Sequence, residues 1–574
     1  MAESKFWKRW INGLLIVFLG VLILSIVILS SVPPVSKDAL VHHLAVPKLF
    51  LEHGWIYEIP SMPFSYYPMN LDLLYMIPLY FGQDIIPKFM HFSFALLTAW
   101  VIFRYLQARA NTTYGLLGVI FLLSIPIIIK LSITVYVDLG VIFFSTASLL
   151  CLFKWMERGF RLGPLFLSGI FCGLAMGTKY NGLITFFLLT LLVLFTYARY
   201  AKNEKHRIIK PLGYAALFSL LALLVFSPWM IRNHRWKGNP IYPLYHGWFI
   251  PKKTGSNQVV VQKVPKTKMR HDLFTYRRMI YEEKWWEMAL LPIRIFFQGR
   301  DGDPQYFDGK LNPFLFILPF FAFFVKKREG PAQNHGILKG IREGDQVNRE
   351  KKILLVFALL FVLISLLTRD LRIRYVSPII PALVILSIFG LKNIQEMVSK
   401  DPKRWTRRTG FIGMGLLVIF PIVLNANYTL GEFRKVAPFQ YIRGHLNRDA
   451  YISNYRPEYP VLQYINRHLP HEASILFVFM GKRGYYCDRS YVVSGESRIR
   501  RLIEKVDAPE EILSGLKRQG FTHLLIYNPI FIKWVEDNFA DDKKRILRNL
   551  FIKHIKTLYQ ENGFSISIIE YPLT

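Results

Sequence analysis

Long apolar runs alternate with short basic stretches through the first three quarters of the chain, and then the pattern changes. The runs are about 15 to 23 residues long, close to what an α-helix needs to cross a hydrocarbon core. About eleven spans are expected, at roughly 11 to 33, 84 to 106, 113 to 130, 135 to 153, 163 to 178, 181 to 198, 211 to 230, 311 to 325, 353 to 368, 375 to 391 and 410 to 425. After residue 440 the apolar segments shorten to strand length. "SILFVF", "THLLIYN" and "SISIIEY" stand between helical stretches such as "PEEILSGLKRQG", which Gly520 can cap. The chain therefore reads as an α-helical polytopic membrane domain over 1–430 and a small α/β domain over 440–574.

Charge gives the orientation. Lys and Arg total 72 against 39 acids, a net +33 that in a soluble protein would suggest a nucleic-acid partner. Here the excess sits largely in short loops between apolar runs, so membrane lipids rather than nucleic acid are the expected partner. With the amino end in the cytoplasm, "KWMERGFR", "YARYAKNEKHRIIK", "KKREGPAQNHGILKGIREGDQVNREKK" and "KNIQEMVSKDPKRWTRR" all fall inside, as the positive-inside rule requires. The first outer loop (34–83), the long loop 231–310, the "TRDLRIRY" turn and the carboxy-terminal domain then lie outside. The 231–310 loop is itself basic, which suggests an anionic partner. Cysteines at 151, 172 and 487 provide neither a disulfide framework nor a cysteine metal site.

The chemistry is concentrated in "SVPPVSKDALVHHLAVPKLFLEHG", residues 31–54. Pro33 and Pro34 end the first span, Ser36 can serve as an N-cap, and Asp38 falls in the first turn of a surface helix that Pro47 kinks or splits. The positive end of the helix dipole favours an ionised Asp38, and His42 lies four residues on, on the same face. That suits a general base beside an imidazole. A favourable first-turn acid with two interfacial histidines explains the residues as well.

The pattern D-A-L-x-x-H-L-x-x-P-K, followed by a Tyr/Pro-rich stretch, resembles the first outer loop of the GT-C glycosyltransferases. The nearest branch is the bacterial one related to the protein mannosyltransferases and the lipid A aminoarabinose transferase. "ITVYVDLGVIFFSTASLL", "GIFCGLAMGTKYNGL", "PWMIRNHRWKGNPIYPLY" and "RYVSPIIPALVIL" extend the resemblance over most of residues 10–425. It implies a GT-C fold and an inverting transfer from a polyprenyl-phosphate-linked sugar at the outer face of a bacterial inner membrane. It also implies that Asp38 activates an acceptor, which could be a glycan, a lipid or a protein.

Asp138, entering the fourth span, either caps its helix or shapes the cavity. Lys179, Arg232, Arg235, Arg372 and Arg374 are expected at the outer interface where a lipid phosphate would lie, with Arg232 and Arg374 the preferred pair. One departure stands out: Tyr66 and Tyr67 occupy the place where the branch often carries a phosphate-binding lysine. Other groups, His43 among them, must then meet the phosphate. No cofactor is expected. A divalent metal held by Asp38, His42, His43 and Asp138 stays open, although adjacent histidines on a helix point in different directions. Two other functions fit the spans, a flippase of lipid-linked intermediates and a membrane-anchored assembly protein. The polar residues cluster at one face, which favours surface chemistry over alternating access.

Overall fold

The computed structural model describes every residue except 1, 202–208, 250–271, 325–334, 369, 494, 505, 507, 573 and 574. Parts of two basic loops expected on the cytoplasmic side and the middle of the 231–310 loop therefore lie outside the described residues. The chain divides into two compact units: Met1–Ser30, Tyr67–Leu71 and Lys88–Ala437 form the first, and Ser31–Tyr66, Asp72–Pro87 and Pro438–Thr574 the second.

The first unit is helical. Among the described residues seven helices are long and apolar enough to cross a membrane, from Phe6–Ser30 to Arg404–Val436. An eighth arises if Thr112–Ser124 and Pro126–Ser132, bent by 67°, count as one span. Pro126 sits at the break, where its missing N–H interrupts the helical ladder. Leu162–Thr178 is shorter but apolar. It carries glycines at every fourth position, and they set its packing. A Cβ on Gly169 would come within 2.9 Å of Leu221, one on Gly173 within 2.6 Å of the Ala222 carbonyl, and one on Gly177 within 2.3 Å of the Asn70 amide. Small residues at this spacing let helix Ile209–Lys237 approach backbone to backbone.

In the second unit, strands β1 (Ser474–Val478), β2 (Ser490–Val492), β3 (His523–Tyr527), β4 (Ile555–Glu561) and β5 (Phe564–Ile569) form one sheet in the order β2-β1-β3-β5-β4. β1 runs parallel to β2 and β3, whereas β5 is antiparallel to both β3 and β4. Leu476, Val478, Leu524 and Ile526 of the central strands are buried against helices that include Gly495–Ile503, Pro509–Arg518 and Asp541–His554. Gly520 takes φ +75° just past Pro509–Arg518, the left-handed turn expected of a helix stop.

Most of the 34–83 loop, within Ser31–Tyr66 and Asp72–Pro87, belongs to this second unit. Tyr485 donates its N–H to the Leu40 carbonyl (3.2 Å), the Tyr486 hydroxyl donates to the Pro34 carbonyl (2.8 Å), and the Arg456 guanidinium bonds the Val35 carbonyl. Lys48 reaches the Tyr485 and Cys487 carbonyls at 3.0 and 3.1 Å and Asp488 at 2.6 Å. The "MGKRGYYCD" turn after β1 thus docks residues 34–48. Its Gly484 packs so tightly that a Cβ would lie 2.1 Å from the Tyr491 ring.

Candidate active site

Within the first unit, the turn Leu131–Asp138 and the ends of Leu162–Thr178, Ile209–Lys237 and Ile373–Val376 carry the candidate groups. Asp138 begins helix Asp138–Glu157 and is 2% exposed. One of its oxygens accepts from Lys179 Nζ at 2.7 Å, and the other is buried with no hydrogen-bond partner among the described residues. His91, which the sequence did not flag, holds this turn. Its Nε2 accepts the Leu139 N–H at 3.0 Å, and its Nδ1 lies 2.9 and 3.0 Å from the Leu131 and Thr134 carbonyls. The network assigns a neutral ring with the proton on Nδ1.

Two preferred cations lie on aromatic faces. Arg374, 8% exposed, stacks over Tyr136 and Tyr375 at 5.2 and 5.3 Å, and Lys179 also stands 5.2 Å above Tyr375. Arg232 lies between Trp229 and Trp236 (4.6 and 4.9 Å) and bonds the Asn233 amide oxygen at 2.9 Å. It also donates to the Tyr67 carbonyl at 3.0 Å. Of the tyrosine pair, Tyr67 thus meets a cation from another helix through its backbone carbonyl. The Tyr67 ring meets Tyr180 at 5.3 Å, and the Tyr180 hydroxyl, Asn233 and the Tyr242 carbonyl form a closed set of bonds at 2.7 to 3.2 Å. Tyr180, Asn233 and Tyr375 sit inside the quoted motifs, yet only their charged neighbours were singled out. Lys88, 4% exposed near the start of Ile86–Arg109, was passed over too.

Arg372 has a different setting, paired with Asp308 (3.0 Å) and Asp370 (2.6 Å), while Lys130 bridges Asp301 (2.8 Å) and Asp308 (3.2 Å). Burial raises the Asp308 carboxyl, but the Lys130 charge and hydrogen bond, the Gly302 N–H and the Arg374 charge together hold the group below its ordinary value. Part of the positive charge of the 231–310 loop is answered internally. Arg277 and Arg294 clamp Glu283 at 2.6 and 3.0 Å; burial raises this carboxyl, yet the two guanidinium groups keep it below the usual range.

Within the second unit, Asp38 is half-buried at the start of a helical segment whose turns at Ala39–His43 are π-type, and its carboxylate does not cap that segment. The first helical bond runs from the Leu40 N–H to the Ser36 carbonyl (3.2 Å), so the segment begins where Ser36 was expected to start it. It breaks at Leu44 rather than at Pro47, which falls in the first turn of the following helix Ala45–His53, where a missing N–H costs little. His43 is buried, with Nδ1 2.7 Å from Asp72, an acid absent from the sequence reading. His42 stacks on Phe64 at 4.6 Å. The Tyr66 hydroxyl donates to Glu58 at 2.5 Å. Among the described residues no three His, Cys, Asp or Glu side chains are grouped to hold a metal ion.

Residues 87–231 match the family described as dolichyl-phosphate-mannose-protein mannosyltransferase. No curated protein sequence matches significantly. Among solved structures the chain is similar to ArnT from Cupriavidus metallidurans in the apo state, with a TM-score of 0.55 and 13% identity, covering 100% of both chains. It is similar to the same protein bound to undecaprenyl phosphate, with a TM-score of 0.52 and 14% identity over 98% of this chain and 100% of that one. The Archaeoglobus fulgidus oligosaccharyltransferase tethered with an acceptor peptide matches with a TM-score of 0.52 and 10% identity, over 99% of this chain and 75% of the other. The matched segment holds Asp138 and Lys179 and ends one residue before Arg232. Residues 87–231 thus carry the sequence pattern of that mannosyltransferase family, and over the whole chain the fold is similar to that of ArnT.

Proposed function

We propose that this chain transfers a sugar from a polyprenyl-phosphate donor to an acceptor hydroxyl at the outer face of a bacterial inner membrane, with inversion and with Asp38 as general base. The acceptor oxygen attacks the anomeric carbon, the bond from that carbon to the phosphate oxygen breaks, and the acceptor proton passes to Asp38. Polyprenyl phosphate leaves without needing a proton from a second carboxylic acid, as a glycosidic oxygen would. The observation that carries this reading is the place of Asp38, half-buried at the head of the helical segment that also carries His42 and His43.

Arg374 and Arg232 are the groups we assign to the donor phosphate. Their aromatic and amide neighbours fix two guanidinium planes, and a rigid planar donor suits phosphate oxygens. Lys179 acts through Asp138. His43, bonded to Asp72, orients the first loop, to which His42 and Tyr66 also belong, and Tyr67 bonds Arg232 in the first unit. The amino end is cytoplasmic and the 438–574 region extracytoplasmic in this reading.

The test is Asp38→Asn followed by mass spectrometry of lipid-linked sugars and surface glycans. Accumulation of unused donor with loss of one glycan substituent is expected. Unchanged glycans would overturn the assignment, and intermediates stranded on the inner face would point to a flippase.

A further inference from the structure

A cavity of about 510 Å³ lies entirely within the second unit, between helix Ala45–His53, the turn after helix Asn70–Tyr80 and the 438–574 region. That volume is typical of a small-molecule site. Its polar lining is fixed in advance. Asn466 donates to the Tyr486 carbonyl at 3.0 Å and accepts the Asp488 N–H at 2.8 Å. Lys48 is held by two carbonyls and by Asp488, and Asp84 takes Arg448 at 2.5 Å and the Tyr485 hydroxyl at 3.3 Å. The aromatic lining is equally ordered, with Tyr459 and Tyr485 each packed edge to face against Tyr486 at 5.1 and 4.9 Å. At the rim Tyr80 is 75% exposed.

Charge selects the ligand class. Glu52, Asp84 and Asp488 stand against Lys48 and Arg448, and both cations already have carboxylate partners. A phosphate would meet a wall of net negative charge. A neutral or amino sugar fits: its hydroxyls and amine find carboxylate and amide acceptors, and its C–H faces find tyrosine rings. We propose that this cavity is a saccharide subsite that holds the acceptor glycan. Calling its occupant the acceptor rests on the transferase reading above; the saccharide chemistry rests on the lining alone.

The experiment uses the full chain in lipid nanodiscs and saturation-transfer NMR with five probes: glucosamine, N-acetylglucosamine, mannose, galactose and, as the anionic control, glucuronate. At least one of the first four should bind saturably, and Tyr80→Ala and Asp488→Asn should each weaken it about tenfold, a change of about 1.4 kcal/mol. Both side chains are exposed, so neither variant should unfold the domain. Absence of binding by all four, binding insensitive to both variants, or glucuronate binding at least as tightly would overturn the proposal. If Asp38→Asn abolishes transfer while no probe binds, only the subsite falls. If Asp38→Asn transfers normally while a probe binds here, only the base assignment falls.

Discussion

Asp138 and Asp38 both stand at helix starts, and their surroundings differ. Asp138 is buried, bonded to Lys179, and set in a turn that His91 ties to backbone on both sides. Asp38 is half-buried, leaves its own helix uncapped, and heads π-type turns that break at Leu44. A carboxylate neutralised by a lysine in a dry environment is a poor proton acceptor and a good framework element. One that keeps contact with solvent can exchange a proton with a substrate. Position at a helix start does not separate a base from a brace, but burial does.

The largest expected effect tests the first half of that contrast. Asp38→Asn should lower turnover of a polyprenyl-phosphate sugar by about 10²- to 10⁴-fold, the usual worth of general-base catalysis, while thermal unfolding in detergent stays near that of the parent. A matching loss of stability would make Asp38 a brace as well. The second half is tested by Lys179→Met, which strands the Asp138 carboxylate and should destabilise the fold by about 3–5 kcal/mol. Adding Asp138→Leu should recover most of this, because removing both charges removes the desolvation cost. An unchanged melting temperature in Lys179→Met would remove the pair from the framework.

Much of this was legible in sequence wherever one element carries its own signal. The strands "SILFVF" and "THLLIYN" and the Gly520 stop lie where their patterns place them, whereas against about eleven expected spans the described residues hold seven helices long and apolar enough to cross a membrane, or eight with the bent pair. The strands β2 and β4 were missed for physical reasons. β2 has three residues, and β4, "IKTLYQE", is an edge strand whose polar side chains carry no core pattern. A signal for β4 did exist: Asn562 and Gly563 both take positive φ in the turn to β5, the usual chemistry of a tight hairpin. The site was legible as single residues and not as pairs. His43 meets Asp72 across 29 positions and Arg232 meets Tyr67 across 165, separations at which only the folded chain supplies the partner. The break at Leu44 is likewise tertiary, since Lys48, Leu40 and Pro34 are all drawn to the 485–488 turn.

Intermediate effects sharpen the contrast between cations held on rings and cations held by acids. Arg374→Gln should raise the KM for the donor about 10- to 100-fold, the worth of one charge-assisted hydrogen bond, with a smaller change in kcat. Arg372→Gln, which loosens the Asp308 and Asp370 contacts, should lower the melting temperature and leave that KM nearly unchanged. Equal effects on KM would mean that the ring-held and acid-held arginines are not distinct.

The smallest effect concerns pH. Because the folded carboxyl of Asp308 sits below its ordinary value, the unfolded chain takes up a proton there first as the solution is acidified. Its contribution to stability is therefore fully present above the ordinary carboxylate range, and it is lost as pH falls through the depressed value. A melting-temperature profile should be flat from neutral pH down to about 5 and fall below that. In Asp308→Asn the plateau should drop and the acid arm should become shallower without vanishing, because Asp301 still faces Lys130 and Asp370 still faces Arg372. An acid arm as steep as the parent's would mean that Lys130 is held by Asp301 alone, and the network around residues 300–310 would then lose its central carboxylate.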